Sequence, residues 1–303
     1  MSLRRRGART AAFLLLAGVL TGCALDQLPS PTAAPTATPF PTPTTTIFEL
    51  DATAWYAGLV IHLDRASAVL DAGGGFVTLD LRLENPGQDL ASLEAPLLVE
   101  SGGTEVDPVR GTVIPDVPAG ESVAASIQFD VDDTFVPEQA TVRIGRAAEH
   151  IVIVPFAGGT RDLMTLQPQA FDLAGSGTAG ALSITLTGGE LRADLPDWGL
   201  ELARDSLALT VTYSARYRGT FSGGFAFTGV NIGLRLPDKS IVSSRPDGRS
   251  QSIEILPPGT LVPDLRSRFE VPPPGDGAYG LVVRDGSATH VIPFTIEATV
   301  SGG

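Results

Sequence analysis

Few residues in this chain have the type and spacing that catalysis requires. A serine nucleophile of the Gly-x-Ser-x-Gly type is absent, and the nearest sequence, at 174–178, has Ala and Thr in place of the outer glycines. Phosphate-binding loops, dinucleotide fingerprints and His-Glu-x-x-His are absent too. Of the three histidines, His150 and His290 open matched strands of two similar halves, and His62 stands alone. We therefore expect no catalytic residue and no enzymatic activity, with a hydrolase as the remote alternative.

Metal binding has little support in the sequence. Asp130, Asp132 and Asp133 form the densest acidic cluster, but strand alternation points Asp133 away from the other two. Calcium takes about six to eight oxygen ligands, so we interpret this cluster as a solvated strand end. The single cysteine, Cys23, excludes a disulfide within the chain and a cysteine-rich metal site. The sequence predicts no cofactor and no metal.

Ligand binding is the chemistry that the remaining unusual residues support. One candidate lies in the loop-like segment 195–199, and the others lie in 216–227, where arginines and aromatic residues flank Gly223-Gly224. Two glycines suit the tip of a hairpin, and a change of alternation after Phe227 predicts a β-bulge near Gly229. The candidate ligand contacts are Trp198, Arg216, Tyr217, Arg218 and Phe221. Ordinary core or hairpin packing is the alternative for each of them.

The N-terminus has the composition of an export signal. Arginines at 4–6 and 9 precede an apolar stretch at 11–20, which is too short to span the ~30 Å core of a bilayer. The sequence Leu-Thr-Gly-Cys at 20–23 resembles the lipobox of bacterial lipoproteins. That resemblance implies cleavage before Cys23, a diacylglycerol thioether on its sulfur, and anchoring by acyl chains such as palmitate. An ordinary secretory leader and twin-arginine export are the alternatives.

A segment rich in proline and threonine follows the cysteine. Proline fixes φ and lacks an amide donor, so neither a helix nor a strand ladder can continue through 26–46. We expect a disordered, extended, polyproline-like tether of about 3.1 Å per residue. Such a tether spaces a folded domain from the membrane, and its threonines are of the kind that carry O-linked sugars.

The acidic charge of the chain excludes one large class of partner. Four of the 21 Lys and Arg residues lie in the leader, so the chain from Cys23 onward carries 17 basic against 34 acidic side chains, a formal charge of −17. Nucleic acids are bound by basic groups that displace counterions, and we expect no nucleic-acid binding. Anionic lipid headgroups would also repel this chain, so membrane attachment should come from the lipid on Cys23.

Beyond the tether the dominant period is two. Apolar residues alternate with polar ones at 77–84, 122–131 and 207–214, which is typical of half-buried strands. Residues 201–209 leave room for at most a short helix. The halves also match in order: 79–85 with 209–215, 118–131 with 257–271, 140–145 with 279–283, and 150–156 with 290–294.

About seven short strands in roughly 110 residues are typical of an immunoglobulin-like sandwich. The first half resembles the Ig-like domains of bacterial surface lipoproteins, a group of unknown function, on the sequences at 77–85, 118–122 and 127–131. The second half departs from that pattern at an insert, 195–206. We therefore predict an all-β protein with two tandem immunoglobulin-like β-sandwiches. The predicted parts are a signal peptide at 1–22, an anchor and linker at 23–46, and sandwiches at 47–158 and 159–303.

These features predict a lipid-anchored extracytoplasmic protein of the bacterial surface or periplasm. Its expected role is that of a non-catalytic binding or adhesion module. The alternative is a structural or accessory subunit of an envelope protein complex that docks through the edge of a sheet. The expected partners are the membrane, through the lipid on Cys23, and an envelope protein or polysaccharide.

Overall fold

The computed structural model describes residues 42–158, 166–245, 254–273 and 277–296. The predicted signal peptide, the lipidation residue Cys23 and the tether as far as Pro41 lie outside these ranges. The prediction that the tether extends to Thr46 is wrong by three residues, because Thr44, Thr45 and Thr46, which follow the last proline, already belong to the first strand. The described residues form strands and short 3-10 helices, at Pro137–Gln139, Pro196–Trp198 and Gly229–Asn231. No helix among them is long and apolar enough to cross a membrane. The prediction of an all-β protein is confirmed.

The alternating sequences form the strands that they predict. Val77, Leu79, Leu81 and Leu83 are all buried, while the residues between them face outward. The first strands are β1 (Thr44–Tyr56), β2 (Leu59–Asp71), β3 (Gly74–Glu84), β4 (Leu97–Ser101), β5 (Thr104–Val106), β6 (Ser122–Val131), β7 (Thr141–Ile144) and β8 (Val152–Pro155). They form two antiparallel sheets with the orders β1-β2-β3-β6 and β5-β4-β7-β8. One hydrophobic cluster contains residues of both sheets, in the manner of a β-sandwich.

The described residues from 166 onward form a second pair of sheets and two smaller two-stranded sheets. Its strands are β9 (Gln169–Phe171), β10 (Ser176–Ala179), β11 (Leu182–Arg192), β12 (Asp194–Leu195), β13 (Leu200–Glu201), β14 (Leu207–Tyr217), β15 (Phe225–Phe227), β16 (Ile232–Arg235), β17 (Ile241–Ser243), β18 (Glu254–Leu256), β19 (Leu261–Val271), β20 (Tyr279–Asp285) and β21 (Ala288–Phe294). The smaller sheets are β12-β13 and β15-β18, and the pair has the orders β10-β11-β14-β19, with β9 also paired to β11, and β17-β16-β20-β21. A second hydrophobic cluster lies between these sheets.

The two pairs of sheets have the same strand order. The sheet β1-β2-β3-β6 corresponds to β10-β11-β14-β19, and β5-β4-β7-β8 corresponds to β17-β16-β20-β21. The four matched sequence segments lie on corresponding strands: β3 with β14, β6 with β19, β7 with β20, and β8 with β21. The turns that precede β6 and β19 both contain a left-handed glycine, Gly120 with φ 70° and Gly259 with φ 73°.

Two local predictions in the second half are wrong. The segment around Gly223-Gly224 is not the tip of a hairpin, because β15 pairs with β18 and not with β14. The change of alternation near Gly229 is not a bulge but a 3-10 turn, which Thr228 and Asn231 close with a capping box. The room left for a short helix at 201–209 is instead taken by the end of β13, a turn and the start of β14.

Candidate functional site

The insert between β11 and β14 contacts the turn that joins β1 to β2. In that turn Gly58 has φ 86°, and a Cβ on it would lie 2.8 Å from the Cα of Pro196. Only glycine combines this backbone conformation with so close an approach. We call the contact of the insert (195–206), together with residues 192–194 that precede it, with the first pair of sheets the junction.

Asp194 is the central carboxylate of the junction. Its side chain is buried, and Oδ2 accepts a hydrogen bond from the backbone N–H of Gly58 at 2.7 Å. The guanidinium of Arg192 donates to both carboxylate oxygens, from Nε at 2.6 Å and from Nη2 at 3.1 Å. Burial lowers the pKa of Arg192, but the carboxylates of Asp194 and Glu190 outweigh it, so the net shift is upward and the guanidinium stays charged.

Glu201 is a second buried carboxyl group of the junction. Its Oε2 accepts a hydrogen bond from the backbone N–H of Ala57 at 2.9 Å, and its Oε1 is buried without a hydrogen-bond partner among the described residues. Burial raises the pKa of Glu201 to about 9; the Ala57 N–H opposes the rise, and the charges of Asp194 and Glu149 add to it. Glu201 is therefore protonated at neutral pH.

Tyr56 and Glu149 extend this group toward the first core. The Tyr56 hydroxyl donates to Glu149 Oε2 at 2.5 Å. Burial and then this neighbouring carboxylate raise the pKa of Tyr56, because both disfavour the phenolate. Glu149 also lies 3.3 Å from the guanidinium of Arg146. The hydroxyl therefore stays a hydrogen-bond donor across the ordinary pH range.

Backbone contacts add a second link at the junction. The loop before β8 runs antiparallel to the chain after β13, with a bridge between Glu149 and Ala203. The N–H of His150 donates to Leu202 O at 3.1 Å, and its ring Nε2 lies 2.8 Å from Ser206 O. A carbonyl only accepts, so Nε2 carries the proton. His150 therefore has a structural role here.

The polar groups of the junction hold the insert against the turn between β1 and β2. Asp194 and Glu201 accept hydrogen bonds from the backbone N–H groups of that turn, and two nitrogens of the Arg192 guanidinium bind Asp194. Sequence reasoning noticed the insert but none of these carboxylates. The available signal was the presence of Arg192 and Asp194 just before, and of Glu201 within, an insert that the first half lacks.

Trp198 lies at the junction, at the end of the 3-10 helix Pro196–Trp198. Its side chain is 38% exposed. The preceding residue, Asp197, accepts a hydrogen bond from Arg268 Nη2 at 3.0 Å. The structure thus fixes the backbone beside Trp198 while leaving part of the indole accessible.

The other predicted contacts lie together around the end of β14. Arg216, Arg218 and Phe221 are exposed, Phe221 to 66%. Tyr217 is half-buried, and its ring lies 5.6 Å from that of Phe225. No carboxylate of the described residues lies within ion-pair distance of Arg216 or Arg218. We call residues 216–221 the distal surface.

The structure does not bring Trp198 together with the distal surface. Arg268, which binds Asp197, is opposite Thr210 in the β14–β19 register, whereas the distal surface begins at Arg216. Strand geometry separates Thr210 from Tyr217 by roughly 23 Å. The five predicted contacts therefore belong to two sites.

The remaining polar candidates are scattered. His62 contacts Thr53 at 3.1 Å and Glu84 at 3.4 Å, and His290 is an exposed residue of β21. Asp132 accepts hydrogen bonds from the hydroxyl and the N–H of Thr134, and these lower its pKa. The described ranges contain no group of three or more His, Cys, Asp or Glu that could hold a metal ion.

An open groove of about 570 Å³ crosses the outer face of the first sheet. Glu49, Asp64 and the ion pair of Arg65 with Asp80 line it, together with Ser126. None of the predicted contacts lies in this groove. Its arginine is occupied by Asp80, which binds it through two nitrogens.

Comparison with known proteins gives no further guide to these sites, because no protein-family model and no curated protein matches the sequence.

Proposed function

We propose that this chain is a lipid-anchored, extracytoplasmic, non-catalytic binding module of the bacterial envelope. The proposed location and anchoring rest on the arginine-rich leader, the short apolar stretch and the lipobox-like sequence that ends at Cys23. A surface of formal charge −17 from Cys23 onward would not bind an anionic membrane by itself, which makes a covalent lipid the natural anchor.

We further propose that 47–158 and 159–303 are tandem immunoglobulin-like domains. In such domains strand B lies between A and E in one sheet, and C, F and G form the other. The order β2-β3-β6 opposite β4-β7-β8 matches this arrangement, and so does β11-β14-β19 opposite β16-β20-β21. In both halves one more strand, β1 or β10, lies outside the strand that corresponds to A.

The ligand surface of this module is the distal surface. The observation that carries this proposal is a pair of exposed arginines without carboxylate partners among the described residues, in a chain that is otherwise strongly acidic. Arginine binds carboxylate and phosphate groups, and exposed rings such as that of Phe221 pack on sugar faces. An acidic envelope polysaccharide fits this combination.

The anchor is tested by labelling growing cells with a fatty-acid probe. The wild-type chain should carry the label and sediment with membranes. The Cys23→Ser variant should remain an unlabelled, uncleaved precursor. Label on the variant would rule out Cys23 as the attachment site, and an unlabelled wild type would rule out lipid anchoring.

A further inference from the structure

Strand β1 has one edge without a partner. The sheet order places β1 at the border of β1-β2-β3-β6, and its thirteen residues pair only with β2. Among the described residues, no backbone hydrogen bond reaches the opposite edge of β1 from a turn or loop. A bulge at Asp51 interrupts β1, so the N–H and C=O groups that are open to pairing with another strand are those of the regular stretch 44–49 before it.

The corresponding edge of the second sheet is protected. There the border position is held by two short strands, β9 and β10, of three and four residues. The ring of His290 from β21 also packs on one face of β10, since a Cβ on Gly177 would lie 2.2 Å from it, so an added strand would have little free surface on that side. Short strands and covering elements are the usual protection of an edge. The two equivalent edges therefore differ in the feature that decides whether a strand can be added.

The exposed half of β1 suits strand pairing. Residues 44–48 are three threonines, Ile47 and Phe48, which are β-branched or aromatic and carry no charge. Ile47 is 55% exposed on the outer face. Phe48 is only half-buried at the rim of the core, with its ring 5.5 Å from that of Phe156.

The tether that precedes β1 cannot fill this edge. It contains prolines at 29, 31, 35, 39, 41 and 43. A strand that adds to β1 must donate N–H groups at alternate positions, and this density of prolines removes too many of them. The strand must come from elsewhere.

We propose that the free edge of β1 accepts an extended strand from a partner protein. Apolar side chains of that strand cover the half-buried Phe48 and Leu50. A Lys or Arg of the strand faces Glu49, since the guanidinium opposite Glu49 in the register, that of Arg65, is already bound by Asp80. Backbone pairing supplies affinity and these alternate side chains supply specificity. This docking edge is separate from the distal surface and does not depend on the ligand proposed for it.

The test is photo-crosslinking of the full-length protein in intact cells. A photoreactive amino acid replaces Ile47 in one strain and Thr178 of the protected strand β10 in another. We expect a discrete adduct with another protein at Ile47 and none at Thr178. The crosslinked peptide should be an extended segment with alternating apolar residues and a basic residue, and Glu49→Lys should weaken the adduct about tenfold. Equal adducts at both positions, or no adduct, would overturn the proposal.

Two proline variants separate docking from folding. Successive residues of a strand direct their backbone groups to opposite edges, so one of Thr45 and Thr46 faces β2 and the other faces the free edge. Of Thr45→Pro and Thr46→Pro, one should lower the melting temperature, and the other should leave it unchanged and abolish the adduct. An adduct that persists in the thermally unchanged variant would refute strand addition. An adduct formed only with a second copy of the chain would overturn the proposal of a partner protein and indicate a homodimer that pairs through β1.

Discussion

The two ends of β14 differ in how their charged groups are partnered. At the junction end, the partly buried Arg192 is bound by the buried Asp194, and the carboxyl groups of Asp194 and Glu201 accept hydrogen bonds from backbone N–H groups. At the distal end, Arg216 and Arg218 are exposed, and no described carboxylate pairs with them. Burying a charge requires a partner, whereas an exposed charge is free to bind a ligand. From this difference we infer that the junction end stabilises the fold, and we base the proposal of ligand binding on the distal end.

The largest effect should come from Asp194→Ala at the junction. This change removes the partner of the partly buried Arg192 and the acceptor of the Gly58 N–H, and such losses cost about 3–5 kcal/mol. Urea unfolding measures it. The matched control is Asp80→Ala, which breaks the exposed pair with Arg65 and the hydrogen bond from Ser126 and should cost much less, because solvent screens exposed charges. Equal losses in both variants would contradict the difference between buried and exposed pairs.

Gly58→Ala should be next. The new Cβ would meet Pro196, and the residue would hold φ 86°, so we expect a loss of about 2–4 kcal/mol in unfolding free energy. Gly286→Ala is the control, because Gly286 has φ 57° but no atom within 4 Å of a Cβ. That variant should lose only the backbone contribution of about 1–2 kcal/mol. If both variants lost the same amount, the turn would not be clamped by the insert.

Glu201→Gln should change how stability depends on pH. The pKa of Glu201 is about 9 in the folded state and near its ordinary value of 4.5 when unfolded. Its contribution is complete below pH 4.5 and is lost as the pH rises toward 9, with a slope of up to about 1.4 kcal/mol per pH unit. Gln does not titrate, so the variant should gain on the wild type from pH 5 to 8 in thermal melts. The control is Glu138→Gln at an exposed position, which should show the same dependence of stability on pH as the wild type. If the stability of Glu201→Gln also followed the wild type at every pH, Glu201 would not be a buried neutral carboxyl group.

The smallest effect on stability should come from the distal surface. The double variant Arg216→Ala, Phe221→Ala removes exposed side chains, so its unfolding free energy should stay within about 0.5 kcal/mol of the wild type. A loss of several kcal/mol in chemical denaturation would mean that these side chains support the fold, and the comparison between the two ends would fail.

Strand β3 could be predicted from the sequence because it has one buried face, and Val77 to Leu83 alternate as that burial requires. Strand β14 also alternates in sequence, but Leu207 to Val211 are buried on both faces, so there the period of two predicts the strand and not its burial. The pairing of β15 with β18 could not be predicted, since Phe225 and Leu256 are 31 positions apart and no local signal joins them. Gly223-Gly224 suggested a hairpin only because turn chemistry is local.

The candidate sites were predictable to different degrees. The exposed arginines at 216 and 218 could be noticed because two positive charges close together beside aromatic residues are unusual in an acidic chain. The junction could not, because the turn at Gly58 and the carboxylate of Asp194 come together only through the fold, at a separation of 136 positions. For the same reason no sequence pattern near Trp198 or Arg216 shows that the two residues belong to different sites.

The most direct test of recognition at the distal surface is a binding measurement. The purified protein in detergent would be titrated with the acidic and the neutral polysaccharide fractions of a bacterial envelope. We predict that the wild type binds the acidic fraction and that Arg216→Ala, Phe221→Ala weakens this binding at least about tenfold, while Trp198→Ala at the junction leaves it unchanged. Wild-type binding that survives in the double variant, or no binding of the acidic fraction, would contradict the assignment.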